Sequence, residues 1–274
     1  MTELERIESL TNSKVKLTVK LHSSTHRKAE NMFVAEGVRL AEMAVNAEWP
    51  VEYAFISDTA VKNDRAMAVI NALREKKVNV YQVPDNVYEK AADTVNSQGL
   101  LLVVRNRIFS WQELLRSKTG SAPLIVVLDG VQDPGNAGTI IRTAEALGCT
   151  GVVCMENTVD IFSDKAVRSS MGAVFNIPII TNARHDDVLE VCHDNEVSLV
   201  ATALDETAIR HYLGDYVSPC AIVFGNEGNG VSEQMLQDAN QKVYIPMSGQ
   251  AESLNVSAAV AILIYEAFRQ RSIL

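Results

Sequence analysis

The sequence predicts an α/β protein of two domains, each organised around a mostly parallel sheet, on three observations. The chain has 274 residues, beyond the roughly 100–200 of one typical domain. From residue 33 onward short β-rich runs alternate with longer helical ones, the pattern of βαβ units. The run "LIVVLDG" at 124–130 is apolar until its last two residues, as in strands buried on both faces. A composition of 47% hydrophobic and 22% charged residues excludes a disordered chain. No apolar run reaches the roughly 18 residues of a membrane span. The start "MTELERIESL" lacks the basic and apolar regions of a signal peptide, so a cytoplasmic protein is expected.

The first series runs strand "FVAEG", helix "VRLAEMAV", strand "YAFIS", helix "DRAMAVINALREKK", strand "VNVYQV", helix "DNVYEKAADTV" and strand "LLLVVRN". Before it, "VKLTVKL" alternates like a strand yet fits a helix equally well, and stays unassigned. A short helix and a Gly/Ser/Pro stretch, "SWQELLRSKTGSAP", read as a connector. The expected boundaries are therefore 1–106, a linker 107–122, and 123–274. The second series continues from "LIVVLDG" through helix "AGTIIRTAEALG", strand "GVVCM", helix "DKAVRSSMGAVF", strand "PIIT", helix "DVLEVCHDN" and strand "VSLVATALD". It ends with "AIVFGNEGNG", helix "SEQMLQDAN", strand "KVYIPM" and a closing helix that is apolar at Val256, Ala259, Val260, Leu263, Ile264 and Ala267, a core helix by its spacing.

A net charge of −9 argues against coating nucleic acid by bulk electrostatics. Locally the balance reverses. Between Thr11 and Lys28 stand Lys14, Lys16, Lys20, Arg27 and Lys28 with no acid, and His22 and His26 beside them. This segment suits either contact with phosphates or a solvated face of a short element. Cys149, Cys154, Cys192 and Cys220 show no CxxC pairing, which favours buried reduced thiols over a disulfide frame. The five histidines show no metal-ligand spacing, so no metal is expected.

Ligands of open α/β sheets bind at the carboxyl ends of strands, so chemistry is sought in the loops that follow them. Three polar loops stand out. In "LDGVQDPGNAGTIIRTAEALG", Gly135, Asn136 and Gly138 would turn the backbone tightly and present N–H groups at a helix start. Arg142 follows, and an ion pair with Glu145 is its structural alternative. "FGNEGNGVS" sets Gly225, Gly228 and Gly230 around Glu227, with Ser232 as a helix cap. It fits neither the P-loop nor the GxGxxG pattern, so neither a nucleoside triphosphate nor a dinucleotide-dependent oxidoreductase is implied. In "IPMSGQAESLNVSAAVAILIYEAF", Ser253 or Asn255 could cap the closing helix. A cap explains one polar residue and leaves the length and polarity of "SGQAESLN" unexplained.

These three loops, in this order, resemble the motifs of the SpoU (TrmH-type) RNA ribose 2′-O-methyltransferases of the SPOUT superfamily. The carrying residues are "DPGNAGTIIRTAEALG", "FGNEGNGVS" and "IPMSGQAESLNVSAAVAILIYE". "SKVKLTVKLHSSTHRKAENMFVAEGVRL" and "QGLLLVV" look like the family's small N-terminal substrate-binding domain. The resemblance implies a C-terminal trefoil-knotted methyltransferase domain, a homodimer formed through that domain, and S-adenosyl-L-methionine (SAM) as cofactor. It implies a cofactor pocket formed by Gly225, Asn226, Gly228, Ile245, Pro246, Met247 and Leu254. Asn136, Arg142, Glu227, Ser253 and Asn255 fall on the family's catalytic positions, and Lys14, Lys16, Lys20, Arg27, Lys28 and Arg39 would face RNA.

The reaction so implied moves a methyl group to a ribose 2′-hydroxyl, a weak nucleophile that needs help in losing its proton. The three motifs offer no His or Cys as base. Of two roles for Arg142, an unusual base or a phosphate clamp, the clamp is preferred because guanidinium pKa values exceed about 12. Asn136 and Ser253 would position the hydroxyl and Glu227 would organise the loops. The N-terminal domain favours rRNA as substrate. The alternatives are the same reaction on tRNA, or a non-catalytic RNA-binding factor of ribosome assembly.

Overall fold

The computed structural model describes residues 4–95, 97–117, 120–250 and 252–272. The chain forms two compact units. Residues up to Arg107 together with Asp160–Phe175 make the first, and Ile108–Val159 together with the chain from Asn176 onward make the second.

The first unit contains β1 (Glu5–Arg6), α1 (Ser13–Lys20), α2 (Ser24–Glu30), β2 (Met32–Glu36), α3 (Val38–Asn46), β3 (Val51–Ser57), α4 (Asp64–Glu75), β4 (Asn79–Val83), α5 (Asp85–Ala91) and β5 (Leu100–Arg105). Its sheet has the order β1-β4-β3-β5-β2, and β5 runs antiparallel to both neighbours. The unassigned "VKLTVKL" is helix α1. The Asn12 side chain accepts the Lys14 N–H at 2.9 Å, and Val15 and Thr18 are buried. Three-residue spacing thus wins over alternation, because that face lies on the core. The same choice turns Lys16 and Lys20 outward, while Lys14 Nζ sits 4.9 and 5.2 Å from the ring centroids of Tyr53 and Tyr81.

Residues 160–175 pack into this first unit although they lie within 123–274. Phe162 and Phe175 lie 4.8 and 6.0 Å from the Phe33 ring, and Trp49 Nε1 donates to the Phe175 carbonyl at 2.9 Å. They also correct the assignment of Arg27. The residue is 5% exposed, and its guanidinium donates to Asp160 at 2.8 Å and to the Leu21 carbonyl at 2.8 Å. Arg27 is thereby withdrawn from RNA, because a buried cation is held by its partners. His22 is similarly occupied, with Nδ1 3.0 Å from Asp164 and Nε2 2.9 Å from the Ala91 carbonyl. Burial lowers its affinity for a proton, yet the Asp164 bond and charge, the Ala91 carbonyl and Asp93 together outweigh this and raise it overall. His22, Asp93 and Asp164 approach one another closely enough to hold a cation. Arg27 and Arg168 already neutralise this cluster, Arg168 binding Asp93 at 2.7 Å.

The second unit opens inside the expected linker with α6 (Trp111–Leu115), whose Leu114 is fully buried; Lys118 and Thr119 of that stretch lie outside the described residues. Then come β6 (Leu124–Asp129), α7 (Pro134–Ala146) and β7 (Gly151–Met155), followed by α8 (Asp164–Ser169), which belongs to the first unit. The chain closes with β8 (Ile179–Ala183), α9 (His185–Asp194), β9 (Ser198–Thr202), β10 (Ile209–Arg210), β11 (Cys220–Gly225), α10 (Glu233–Asp238), β12 (Gln241–Tyr244) and α11 (Val256–Ser272). The seven strands pair in parallel in the order β10-β12-β9-β11-β6-β7-β8. β11 and β6 at its centre are buried along nearly their whole length, as the apolar runs demand. The four cysteines are buried and form no disulfide among the described residues.

Helix α11 packs on α7 and buries Val256, Val260, Leu263, Ile264 and Ala267. Ala259, expected in the core, is half-buried instead. Glu266 is buried and bonds Arg269 at 2.7 Å, whereas Ile262, Tyr265 and Phe268 stay 37%, 59% and 42% exposed. Among the described residues no helix is long and apolar enough to cross a membrane.

Candidate active site

The three polar loops leave the carboxyl ends of β6, β11 and β12. Strands β6 and β11 are neighbours in register, with Asp129 opposite Gly225, so the first two loops begin side by side. A cavity of about 530 Å³ opens beside them, within the range of small-molecule sites.

In the first loop the tight turn is made by Gly130, at φ +78°, and not by Gly135 or Gly138, which lie inside α7. The helix starts one residue after Asp133, whose carboxylate accepts the Asn136 N–H at 2.8 Å, and Pro134 occupies the first helical position. In the second loop Asn226 and Gly230 exchange two backbone hydrogen bonds of 2.9 Å. The Asn226 side chain fastens this hairpin to its neighbours, donating to the Gly130 carbonyl at 2.9 Å and accepting from the N–H of Gly228 and Asn229. At the foot of this turn Gly225 has no room for a side chain. A Cβ there would lie 2.0–2.2 Å from the backbone of Gly230 and Val231.

One carboxylate joins the loops. Glu227 accepts the N–H of Gln132 at 3.1 Å, the N–H of Asp133 at 3.3 Å and the Asn136 side-chain amide at 3.0 Å. Desolvation pushes this carboxyl up, but the hydrogen bonds from Asn136 and the two backbone amides outweigh it and hold Glu227 below its ordinary range. It is therefore a carboxylate at neutral pH. Asn136 also accepts from the Asn255 amide at 3.1 Å, and Asn255 caps α11 by accepting the Ser257 N–H at 2.9 Å. The cap and the site are the same residue, which accounts for a polar entry to an apolar helix. Ser232 begins α10 without a side-chain cap bond, its N–H instead reaching Asp129 at 2.7 Å.

Gly225, Asn226, Glu227, Gly228, Ile245, Met247, Ser253 and Leu254 all face the cavity, whereas Pro246 does not. Arg142 stands exposed on α7 with no hydrogen bond or ion pair among the described residues; the pair with Glu145 does not form. The sequence reading missed Asp205, which lines the cavity just past the carboxyl end of β9. The Thr207 hydroxyl and Lys242 bring its carboxyl down to about 2. Position after a buried strand was the signal available for it. Apolar walls at Phe224, Val243 and Ile245 suit a ligand with an aromatic ring, and Glu252 at the rim suits a positive charge, Asp205 being paired already with Lys242 at 3.1 Å.

A parallel α/β sheet with a ligand-sized cavity at its carboxyl edge, lined by the second and third of three cross-linked loops, is the architecture of a cofactor-using enzyme. The chain belongs to the SpoU rRNA Methylase family, whose model matches residues 123–265, and it is an RNA methyltransferase by that membership. The MRM3-like substrate binding domain model matches residues 12–102. The chain is 33% identical over 263 residues to the 23S rRNA (guanosine(2553)-2′-O)-methyltransferase RlmP of Bacillus subtilis, covering 96% of this chain and 98% of that one. The AdoMet-bound rRNA methyltransferase of Sinorhizobium meliloti superimposes with a TM-score of 0.87 at 30% identity, over 97% of this chain and 98% of that chain. The SpoU methyltransferase AviRb of Streptomyces viridochromogenes, in complex with AdoMet, gives 0.85 at 25% identity over 96% and 100%.

Proposed function

We propose that this protein transfers a methyl group from SAM to a ribose 2′-hydroxyl of 23S-type ribosomal RNA. The observation that carries the reading is the bonded chain Gln132/Asp133–Glu227–Asn136–Asn255, which joins the three family motifs beside the cavity. Likeness to rRNA enzymes over nearly the whole chain, N-terminal unit included, supports rRNA as substrate.

SAM, when bound, supplies an electrophilic methyl on a sulfonium. Gly225, Asn226, Gly228, Ile245, Met247 and Leu254 would hold it, the apolar side chains around the adenine. Glu252 at the rim favours its positive charge, whereas Asp205 is paired with Lys242 at 3.1 Å. Both ends of the Asn136 amide are engaged, so Asn136 positions the loops, and Glu227 fixes them. Ser253 makes no hydrogen bond among the described residues, which leaves its hydroxyl for the ribose. Arg142, exposed and unpaired, clamps the adjoining phosphate. The 2′-hydroxyl is what separates RNA from DNA. A substrate transcript should therefore accept label from methyl-labelled SAM, and the same transcript with a 2′-deoxy target nucleotide should accept none. Label on the deoxy target would refute ribose methylation.

In this reading the first unit chooses the RNA and the second, which takes in most of the expected linker, catalyses, with the last two loops threaded as a trefoil knot. The protein works in the cytoplasm as a homodimer. The outward Ile262, Tyr265 and Phe268 of α11, spaced three apart, supply an apolar face for a second copy. Sedimentation should give twice the chain mass for the wild type and the single-chain mass for Tyr265→Asp/Phe268→Asp. A double variant that remains dimeric would place the interface elsewhere.

A further inference from the structure

The first motif loop rests on a turn that none of the three motifs contains. After β7 the chain turns at Glu156 and Asn157, and the Thr158 N–H reaches the Met155 carbonyl at 3.1 Å. Asn157 stands at φ +69°, in the left-handed region that asparagine tolerates better than most residues. From there the chain is bonded along residues 128–131. The Thr158 hydroxyl donates to the Leu128 carbonyl at 2.8 Å and accepts the Gly130 N–H at 3.2 Å, and the Val159 N–H donates to the Val131 carbonyl at 2.9 Å. One hydroxyl thus holds both the end of β6 and the tight turn at Gly130.

Gln132 gathers the same segments. Its side-chain amide has two N–H donors, and it donates to the Gly130 carbonyl at 3.0 Å and to the Asn157 carbonyl. The Gly130 carbonyl also accepts from the Asn226 side chain at 2.9 Å, so the second motif loop meets the first at this one oxygen. The main-chain N–H of Gln132, set between these bonds, is one of the donors that Glu227 accepts. Gln132 is exposed, and neither it nor residues 157–159 line the cavity. Bonds at so exposed a place add little to stability. What they fix is where the Glu227 carboxylate finds its donors.

Resting on the methyltransferase reading, we infer that the turn after β7 is a fourth loop of the active site. Thr158 and the Gln132 side chain are positioning residues that set the first motif loop, and with it Glu227 and Asn136, for the reaction. Both act through Glu227, outside the SAM cavity.

The test separates position from binding. Gln132→Met keeps the length of the side chain and removes both donors, and Thr158→Val removes the hydroxyl at nearly constant volume. Each should lower kcat for rRNA methylation about fivefold, the size of one net hydrogen bond. KM for rRNA and SAM affinity by calorimetry should match the wild type, and Thr158→Ser, which keeps the hydroxyl, should restore kcat. Because both residues serve one loop, the double variant should lose less than the product of the single losses. Hydrogen exchange of the full chain reads the loop without turnover. Amides of 128–133 should exchange faster in Gln132→Met and Thr158→Val, and those of β9 should not change. Wild-type kcat in both variants, wild-type exchange at 128–133, no rescue by Thr158→Ser, or SAM affinity falling in step with kcat would overturn the inference. A wild type that transfers no methyl group would refute the methyltransferase reading instead, and the exchange would still decide whether the turn sets the loop.

Discussion

Arg142→Ala is expected to lower kcat/KM for rRNA methylation about a hundredfold, the cost of one charge-assisted contact that matters in the transition state. Stability should stay within about 0.5 kcal/mol of wild type, because the side chain is exposed and bonds nothing among the described residues. SAM affinity should not change either, since Arg142 does not face the cavity. A clamp also predicts that rRNA affinity falls along with turnover. If kcat falls while rRNA affinity is unchanged, the guanidinium acts on the proton of the hydroxyl and the clamp is wrong.

Gly225→Ala should be the most damaging single methyl group in the second unit. The added Cβ would meet Gly230 C, Val231 N and Gly230 O at 2.0, 2.1 and 2.2 Å, all of them backbone atoms. Backbone cannot rotate away as a side chain can, and the hairpin can shift only by breaking the paired 2.9 Å bonds between Asn226 and Gly230. Overpacking of this kind costs about 1–3 kcal/mol. Because the hairpin lines the cavity, SAM affinity by calorimetry should fall by about tenfold or more, one factor of ten per 1.4 kcal/mol. Gly228→Ala is the control. Its nearest neighbour to a Cβ is Asn226 Oδ1 at 3.5 Å, an ordinary contact, so it should bind SAM nearly as well as wild type. Equal behaviour of the two variants would show that the tight approach at Gly225 does not shape the pocket.

The strands were legible because burial on both faces writes itself into continuous apolar runs such as "LIVVLDG" and "AIVFG". The loops were legible because glycine and polar residues directly follow those runs. What stayed hidden depends on partners distant in sequence. Arg27 reads as a free cation until Asp160, 133 positions on, is folded against it. Asn255 reads as a helix cap, and its second bond to Asn136 spans 119 positions. Residues 160–175 have the pattern of any crossover helix, and only the aromatic cluster at Phe33 and Trp49 assigns them to the first unit. For "VKLTVKL" two periodicities were present at once, and the core face that chose between them is a tertiary fact.

Ribose methylation of ribosomal RNA is decided by incubating the protein with methyl-labelled SAM and separate pools of unmodified rRNA and tRNA, followed by alkaline hydrolysis. A 2′-O-methyl group blocks cleavage at its own nucleotide, so the label should be recovered in alkali-resistant dinucleotides from the rRNA pool alone. Label released as mononucleotides would place the methyl on a base, and resistant dinucleotides from tRNA alone would place it on the wrong RNA; either result would refute the proposed function.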